Sequence, residues 1–547
     1  MKQTCLILCC YLTMGSGIAQ TMTAKQWLED IDFLHQTVHR DYSFLFKKIT
    51  TERFDAEVLK LKTQVPTLQD HEVIAGLTRL VALFGYGHTD VDWNGGLFKH
   101  ARIPVNFYWF SDGIFIEGTH KDHAAAVGAK VLKVEGREVQ EVLQAVRPLL
   151  NEENEQYYKA YILDFLGIPE ALHAQKIIPQ LKNNLTLTLE KGGKIFDHSF
   201  AAQPALTIPR SYGFTKLTED WVSGRATDRT PNYLKNLDKI YYFEYLADNK
   251  TLYIRHSQIQ DDKEESIAQF YARVEKFMET NAVEKLILDV RLNGGGNNYK
   301  NRDIVKTIIR SNINTPGKFI VIIGRRTFSA CQNLVNELDK YTEAIFIGEP
   351  TSENINFYGD NRRVDLPHSK LPVYLSFAWW QDKPVWEDGP WKAPHVAAEL
   401  SSADYFNNED PVLTSALNFD GRNFIRDPMG HLEKLFNQGK VDEVKSEAQR
   451  MVNDARYKFF DFENAFNSAA IRLAEQKNFM PAGMVLNMCG ELFPHSLTTW
   501  LNLAEINIAS GSAKEAAKYL QKVIDINPES EQAKKAKELL SGIQEKK

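Results

Sequence analysis

The stretch from Leu286 to Glu337 confines the fold more than any other part of the chain. It reads LILDVRLNGGGNNYKNRDIVKTIIRSNINTPGKFIVIIGRRTFSACQNLVNE. Leu286–Val290 and Phe319–Ile323 are short, continuous apolar runs, the pattern of strands buried on both faces of a parallel sheet. The first empties into Asn293-Gly294-Gly295-Gly296. The second empties into Arg325-Arg326-Thr327-Phe328-Ser329, and a helical pattern starts at Ala330. Glycines let a backbone turn sharply and bring its N–H groups close to a ligand. A serine between a strand and a helix has its hydroxyl near the positive end of the helix dipole. Ser329 is therefore the candidate nucleophile. The amides of Ala330 and of Gly295 or Gly296 are the candidate donors to an oxyanion.

The surrounding pattern alternates. Strand Thr251–Arg255, helix Glu264–Glu279, strand Leu286–Val290, helix Asp303–Arg310, strand Phe319–Ile323, helix Ala330–Leu338 and strand Ala344–Ile347 follow one another, which predicts an α/β core with a largely parallel sheet. Extended segments at Val364–Leu366 and Val373–Phe377 come next. Upstream, residues 20–98 read as helices, the third from His71 to Phe84. That helix stops at Gly85-Tyr86-Gly87, and His88-Thr89-Asp90-Val91 continues extended. Residues 99–205 are β-rich, with a tight turn at Glu135-Gly136. Residues 206–240 are polar and contain Gly, Pro and Thr, as a crossing between domains would.

From Pro428 to Lys547 the chain is helical in pattern and repeats. Trp500, Ala504, Ala516, Leu520 and Pro528 have counterparts thirty-four residues earlier in Phe466, Ala470, Ala482, Leu486 and Pro494. Small residues at matched positions let paired helices approach closely, the packing logic of tetratricopeptide repeats. Such repeats expose a concave surface on which a protein partner could dock.

The first 19 residues have a lysine near the start, an apolar run from Cys5 to Met14 and small residues before Gln20. This pattern predicts a cleaved secretory leader and export, with a bacterial periplasm as the expected compartment. Three of the five cysteines fall inside that leader, leaving Cys331 and Cys489 and no disulfide framework. A net charge of −6 gives no reason to expect nucleic acid. No later run is apolar enough to span a bilayer. There is no His-Glu-x-x-His and no Cys pair, so neither a metal nor a cofactor is expected.

A serine hydroxyl needs a base. No lysine follows Ser329 in Gly348–Asn356, and Gln332 stands where a Ser-x-x-Lys motif would place one. A histidine is left. His88 is best framed, with His368 and His395 as competitors. Glu387, on a Trp-Glu-Asp-Gly turn, is the expected third group, with Glu349 and Asp90 as alternatives.

The ordered set Asp289-Val290-Arg291-Leu292-Asn293-Gly294-Gly295-Gly296, Thr327-Phe328-Ser329-Ala330 and Ile347-Gly348-Glu349-Pro350-Thr351 resembles the core of the tail-specific serine peptidases. That group includes the carboxy-terminal processing peptidases and the tricorn core protease. Gly87-His88-Thr89 resembles the histidine motif of the tricorn-type branch. The resemblance covers roughly residues 25–415. It implies a crotonase-like ββα core over 206–420, a helical N-terminal segment and a PDZ-like insertion at 99–205. It also implies Ser329 as nucleophile, His88 as base and Glu387 as the residue that orients it, acting on peptide or protein substrates. Two departures accompany it: Gly87 stands where the tricorn enzyme has a serine, and the family's Gly-x-x-Pro-Asp ending is altered at Gly389–His395. Two rival functions share this scaffold. One is a non-catalytic binding or scaffold protein. The other is a hydrolase of non-peptide acyl bonds, although Thr327 and Cys331 replace the glycines of a Gly-x-Ser-x-Gly elbow.

Overall fold

The computed structural model describes residues 22–226, 228–422 and 424–544. The leader read over residues 1–19 lies outside them.

Three helices open the described chain: α1 (Ala24–Asp41), α2 (Thr51–Gln64) and α3 (Asp70–Ala82). Thr23 and Gln26 form a capping box on α1, and Thr50 caps α2. Their apolar stripes meet: Trp27, Ile31, Leu34, Phe54, Val58, Leu61, Ile74 and Leu77 are all buried. A twisted antiparallel sheet follows, built from β1 (Val105–Phe110), β2 (Gly113–His120), β3 (Lys130–Val134), β4 (Asn184–Lys191) and β5 (Lys194–Ala201). Alternation along β4 puts Leu185, Leu187 and Leu189 in the core. The predicted crossing segment is pinned rather than loose, since its short strand Trp221–Ser223 pairs with β2. Glu117 beneath it is fully buried and accepts hydrogen bonds from Asn106, Thr215, Ser223 and Tyr405.

The second layer is a six-stranded sheet in the order β6 (Tyr241–Leu246), β7 (Thr251–His256), β8 (Lys285–Asp289), β9 (Phe319–Ile323), β10 (Ile345–Gly348) and Val396–Ala397. Only β6 runs antiparallel to its neighbour; the other pairings are parallel. The continuous apolar runs exist because both faces are covered. Leu252, Leu286, Leu288 and Val321 pack against α4 (Ile267–Thr280), α5 (Asn301–Arg310) and α6 (Ala330–Tyr341). The alternate residues Ile287, Ile320, Ile322 and Ile347 pack against Val412, Leu413 and Ala416. Beyond β10 the chain makes a long hairpin, β11 (Phe357–Asp365) with β12 (Pro372–Trp380). Asp90–Val91 adds to β12 as a third antiparallel strand. That pairing ties the end of the N-terminal helical segment to the sheet-bearing half of the chain, and His88 sits two residues before it.

The tail is helical throughout. Ala470, Ala482 and Leu486, and their counterparts Ala504, Ala516 and Leu520 one period later, lie in one buried cluster together with Trp500. Gly490 has no side chain because the Trp500 ring occupies that space: a Cβ would come within 2.2 Å of it.

Arg291 is the clamp beneath the glycine loop. It meets Asp289 at 2.8 Å and Asp410 at 2.9 Å, and all three side chains are at most 10% exposed. Replacing Arg291 with Ala strands two buried carboxylates. The expected cost is about 3–5 kcal/mol of unfolding free energy, read from urea unfolding.

Candidate active site

Ser329 sits between β9 and α6, where the strand ends in Gly324-Arg325-Arg326-Thr327. Its backbone is left-handed (φ 55°, ψ −130°), a strained conformation for a non-glycine residue. The surroundings hold it there. Thr327 Oγ1 donates to Val290 O, Phe328 N–H donates to Asn293 O, and Ser329 N–H donates to a Glu353 oxygen at 3.1 Å. The turn thus rests on the glycine loop after β8.

That loop needs its glycines. A Cβ on Gly295 (φ 96°) would lie 2.7 Å from Ser329 Cβ and 2.9 Å from Ala330 N. One on Gly296 (φ 144°) would strike Ile259 O at 2.4 Å. A side chain at Gly295 would also fill the space beside the helix N-terminus. The candidate oxyanion donors are not equivalent. Gly295 N–H is taken by Asn293 Oδ1 at 2.9 Å. The amides of Ala330 and Gly296 have no acceptor among the described residues. Those two remain available to a developing oxyanion.

His88 reaches this turn from 241 residues away: its Nε2 lies 2.9 Å from Ser329 Oγ. The ring is stacked on Phe328 at 4.6 Å and lies nearly parallel to Phe357. Asn361 Nδ2 donates to its backbone carbonyl. The glycine before it is explained by packing, since a Cβ at Gly87 would come within 2.9 Å of both Tyr157 and Phe328. A serine there would not fit.

The expected third group is elsewhere. Glu387 occupies a half-exposed turn and pairs with Lys383 at 3.2 Å. The carboxylate that faces His88 belongs to Glu353, whose Oε2 is 3.6 Å from Nδ1 and whose side chain is fully buried. The alternatives are engaged as well. Glu349 forms a bidentate pair with Arg325, and Asp90 accepts from the Val91 amide. His368 pairs with Glu29, and His395 accepts from Phe346 N–H.

Glu353 has a second carboxyl behind it. The Glu153 side chain, also fully buried, is near enough for its charge to act on Glu353. Glu153 accepts from Gly87 N–H at 2.7 Å and meets Lys48 at 3.5 Å. Burial, and then repulsion from Glu153, pushes the Glu353 carboxyl well above the usual range. Burial raises Glu153 too, against the pull of Lys48. Two like charges this close in a dry site favour a single shared proton. His88 Nδ1 and Glu353 Oε1 are buried without a hydrogen-bond partner among the described residues.

Among the described residues one group brings metal-ligating atoms together, His35, His39 and Asp55 on α1 and α2.

Residues 250–315, which span β7 through α5, match the sequence model of Peptidase family S41. No curated protein matches the chain. Among solved structures, mature CPAF complexed with lactacystin shares the fold with a TM-score of 0.51 at 13% identity, over 72% of this chain and 99% of that one. A serine-to-alanine mutant of CPAF gives 0.50 at 12% identity, over 74% and 99%. The photosystem II D1 C-terminal processing protease gives 0.33 at 13% identity, over 70% and 94%. The match over residues 250–315 is to a family of peptidases, and the chain shares its fold with mature CPAF.

Burial depresses the His88 imidazole from 6.5 to about 4. The folded protein then sheds a proton that the unfolded chain still holds. Its stabilising effect is full above pH 6.5 and is lost as pH falls towards 4. In Glu153→Gln the like charge behind Glu353 is gone, so Glu353 ionises at lower pH. Its charge then draws a proton onto His88, whose pKa rises. A carbon-13 NMR titration of ring-labelled histidine reads this shift. An unchanged His88 titration in the variant would count against the shared-proton account.

Proposed function

We propose that the chain is an exported serine peptidase that hydrolyses peptide bonds through an acyl-enzyme. Ser329 is the nucleophile, His88 the base and Glu353 the group that orients and charge-balances it. The observation that carries this reading is the 2.9 Å contact between His88 Nε2 and Ser329 Oγ. A non-catalytic scaffold has no use for a strained serine aimed at a buried, neutral imidazole.

Ser329 Oγ attacks the scissile carbonyl carbon as its proton passes to His88 Nε2. The C–O bond forms, and the carbonyl π electrons move onto oxygen, which the Ala330 and Gly296 amides receive. His88 is then an imidazolium, opposite a Glu353–Glu153 pair that carries one proton and one negative charge. Collapse of the intermediate breaks the C–N bond, and His88 returns its proton to the leaving amine. Water, deprotonated by His88, hydrolyses the ester in the same way and frees Ser329. The low pKa of His88 keeps it neutral, and so able to accept a proton, well below pH 7.

The crotonase-like core, the PDZ-like β-rich module and the tetratricopeptide-like tail are part of this proposal. So is a role for the tail in recruiting a protein partner. The helical pairing of the tail at a thirty-four-residue spacing supports the repeat reading.

A serine-reactive phosphonate is expected to label wild-type protein and not Ser329→Ala. On a peptide substrate, His88→Ala is expected to lower kcat/KM by about a thousandfold or more. Glu353→Gln falls by a smaller but large factor, and Glu387→Gln leaves kcat/KM unchanged. Equal loss in the two glutamate variants would return the orienting role to Glu387.

A further inference from the structure

Beside the glycine loop lies a cavity of about 300 Å³, lined by Tyr161, Tyr212, Ser257, Gly294, Gly295 and Arg326. It shares that loop with the candidate oxyanion donors. Arg326 stands three residues before Ser329 on the same turn. A substrate whose scissile carbonyl sits over the Ala330 amide would place a neighbouring residue here.

The charge in this cavity is unbalanced. Arg325, one residue earlier, is engaged on every side: Glu349 accepts from its Nε and Nη2, and Trp109 O accepts from its Nη1 at 2.6 Å. Arg326 has no carboxylate within ion-pair distance among the described residues. Its guanidinium lies over the Tyr161 ring at 5.4 Å and against Gly213, where a Cβ would come within 2.5 Å of it. Gly213 (φ 91°) therefore makes room for the arginine. The carboxylate that Arg326 senses is Asp164, and that group is already held by Arg210 through two contacts of 2.7 Å and by Arg102 at 3.2 Å. Although burial would raise the Asp164 carboxyl, these arginines, Arg326 included, hold it at about 2. Three guanidiniums thus share one carboxylate, with Arg326 the one facing the cavity. A planar guanidinium fixed by stacking matches a carboxylate edge to edge, and the tyrosine and serine hydroxyls beside it can donate to the same group.

We propose that this cavity is a carboxylate-recognition subsite, in which Arg326 pairs with a carboxylate of the peptide substrate next to the cleaved bond. The carboxylate comes from an Asp or Glu side chain or from a free C-terminus. This rests on the peptidase reading of Ser329, but its test does not depend on turnover.

The test uses the full chain as Ser329→Ala, with alanine-based pentapeptides as probes. One pair differs only by Asp or Asn at the central residue. The other pair differs only by a free or an amidated C-terminus. Calorimetry is expected to show at least one acid binding about tenfold more tightly than its neutral isostere. The pair that shows the difference identifies the source of the carboxylate. Adding Arg326→Gln abolishes the difference while leaving the neutral peptides unaffected. In active protein, Arg326→Gln raises KM for the acidic peptide, leaves kcat in place and leaves phosphonate labelling of Ser329 intact. Equal or undetectable binding of acid and isostere in both pairs overturns the subsite, even where Ser329 labels normally. Selective binding that persists in Arg326→Gln also overturns it. Selective binding lost in Arg326→Gln, in a protein whose Ser329 does not label, sustains the subsite and contradicts the peptidase reading instead.

Discussion

The structure depends on one junction, the left-handed turn at Ser329 seated on the glycine loop. A non-glycine residue at φ 55° costs on the order of 1–3 kcal/mol and persists only where its neighbours over-determine it. Here they do so from three directions. Asn293 O holds Phe328 from the glycine loop, Val290 O holds Thr327 from the strand end, and Glu353 holds the Ser329 amide from the segment after β10. The same residues serve the chemistry. Gly295 and Gly296 leave open the space that a side chain would fill, and Glu353 touches both the Ser329 amide and the His88 ring. Strain at the nucleophile and preorganisation of its partners have a common source.

The proposed base, His88, arrives by a different route. Asp90–Val91 is zipped to β12, and Gly87 is wedged against Tyr157 and Phe328, so the ring at His88 has little freedom left. Behind it runs a buried chain of His88, Glu353, Glu153 and Lys48, ending near the surface at the lysine. A lone buried glutamate would either hold a proton or lift the histidine pKa. In the proposed arrangement the pair shares one proton: burial keeps His88 neutral, and the pair gives its imidazolium a counter-charge.

Much of this was legible in the sequence where the signal is local. The strand runs of the central sheet, the glycine loop and Ser329 lie within one stretch, and their pattern follows from burial on both faces. His88 was legible because a glycine-flanked helix end opens an extended segment, although only the hairpin β11–β12 explains where that segment goes. The proposed acid was not legible. Glu353 sits in a short polar-looking loop, and nothing local says that the loop folds back under Ser329 through Ser352 N–H to Thr327 O. Glu387 looked better framed by its turn, yet that turn is half-exposed and its carboxylate serves Lys383. Glu153 and Arg326 were missed for the same reason, since the burial of one and the lack of a carboxylate for the other are properties of the folded chain. Gly295 or Gly296 was read as an oxyanion donor because the loop offers backbone N–H groups; which of the two is free was not legible, since the Gly295 amide is bonded to Asn293 within the loop itself.

The account stands on where the oxyanion and the proton go when Ser329 reacts. A crystal structure of the phosphonyl–Ser329 adduct measures this directly. The phosphonyl oxygen is expected within hydrogen-bond distance of the Ala330 and Gly296 amides, with His88 still between the adduct and Glu353. An adduct whose oxygen points away from both amides, or whose nearest base is a residue other than His88, would contradict it.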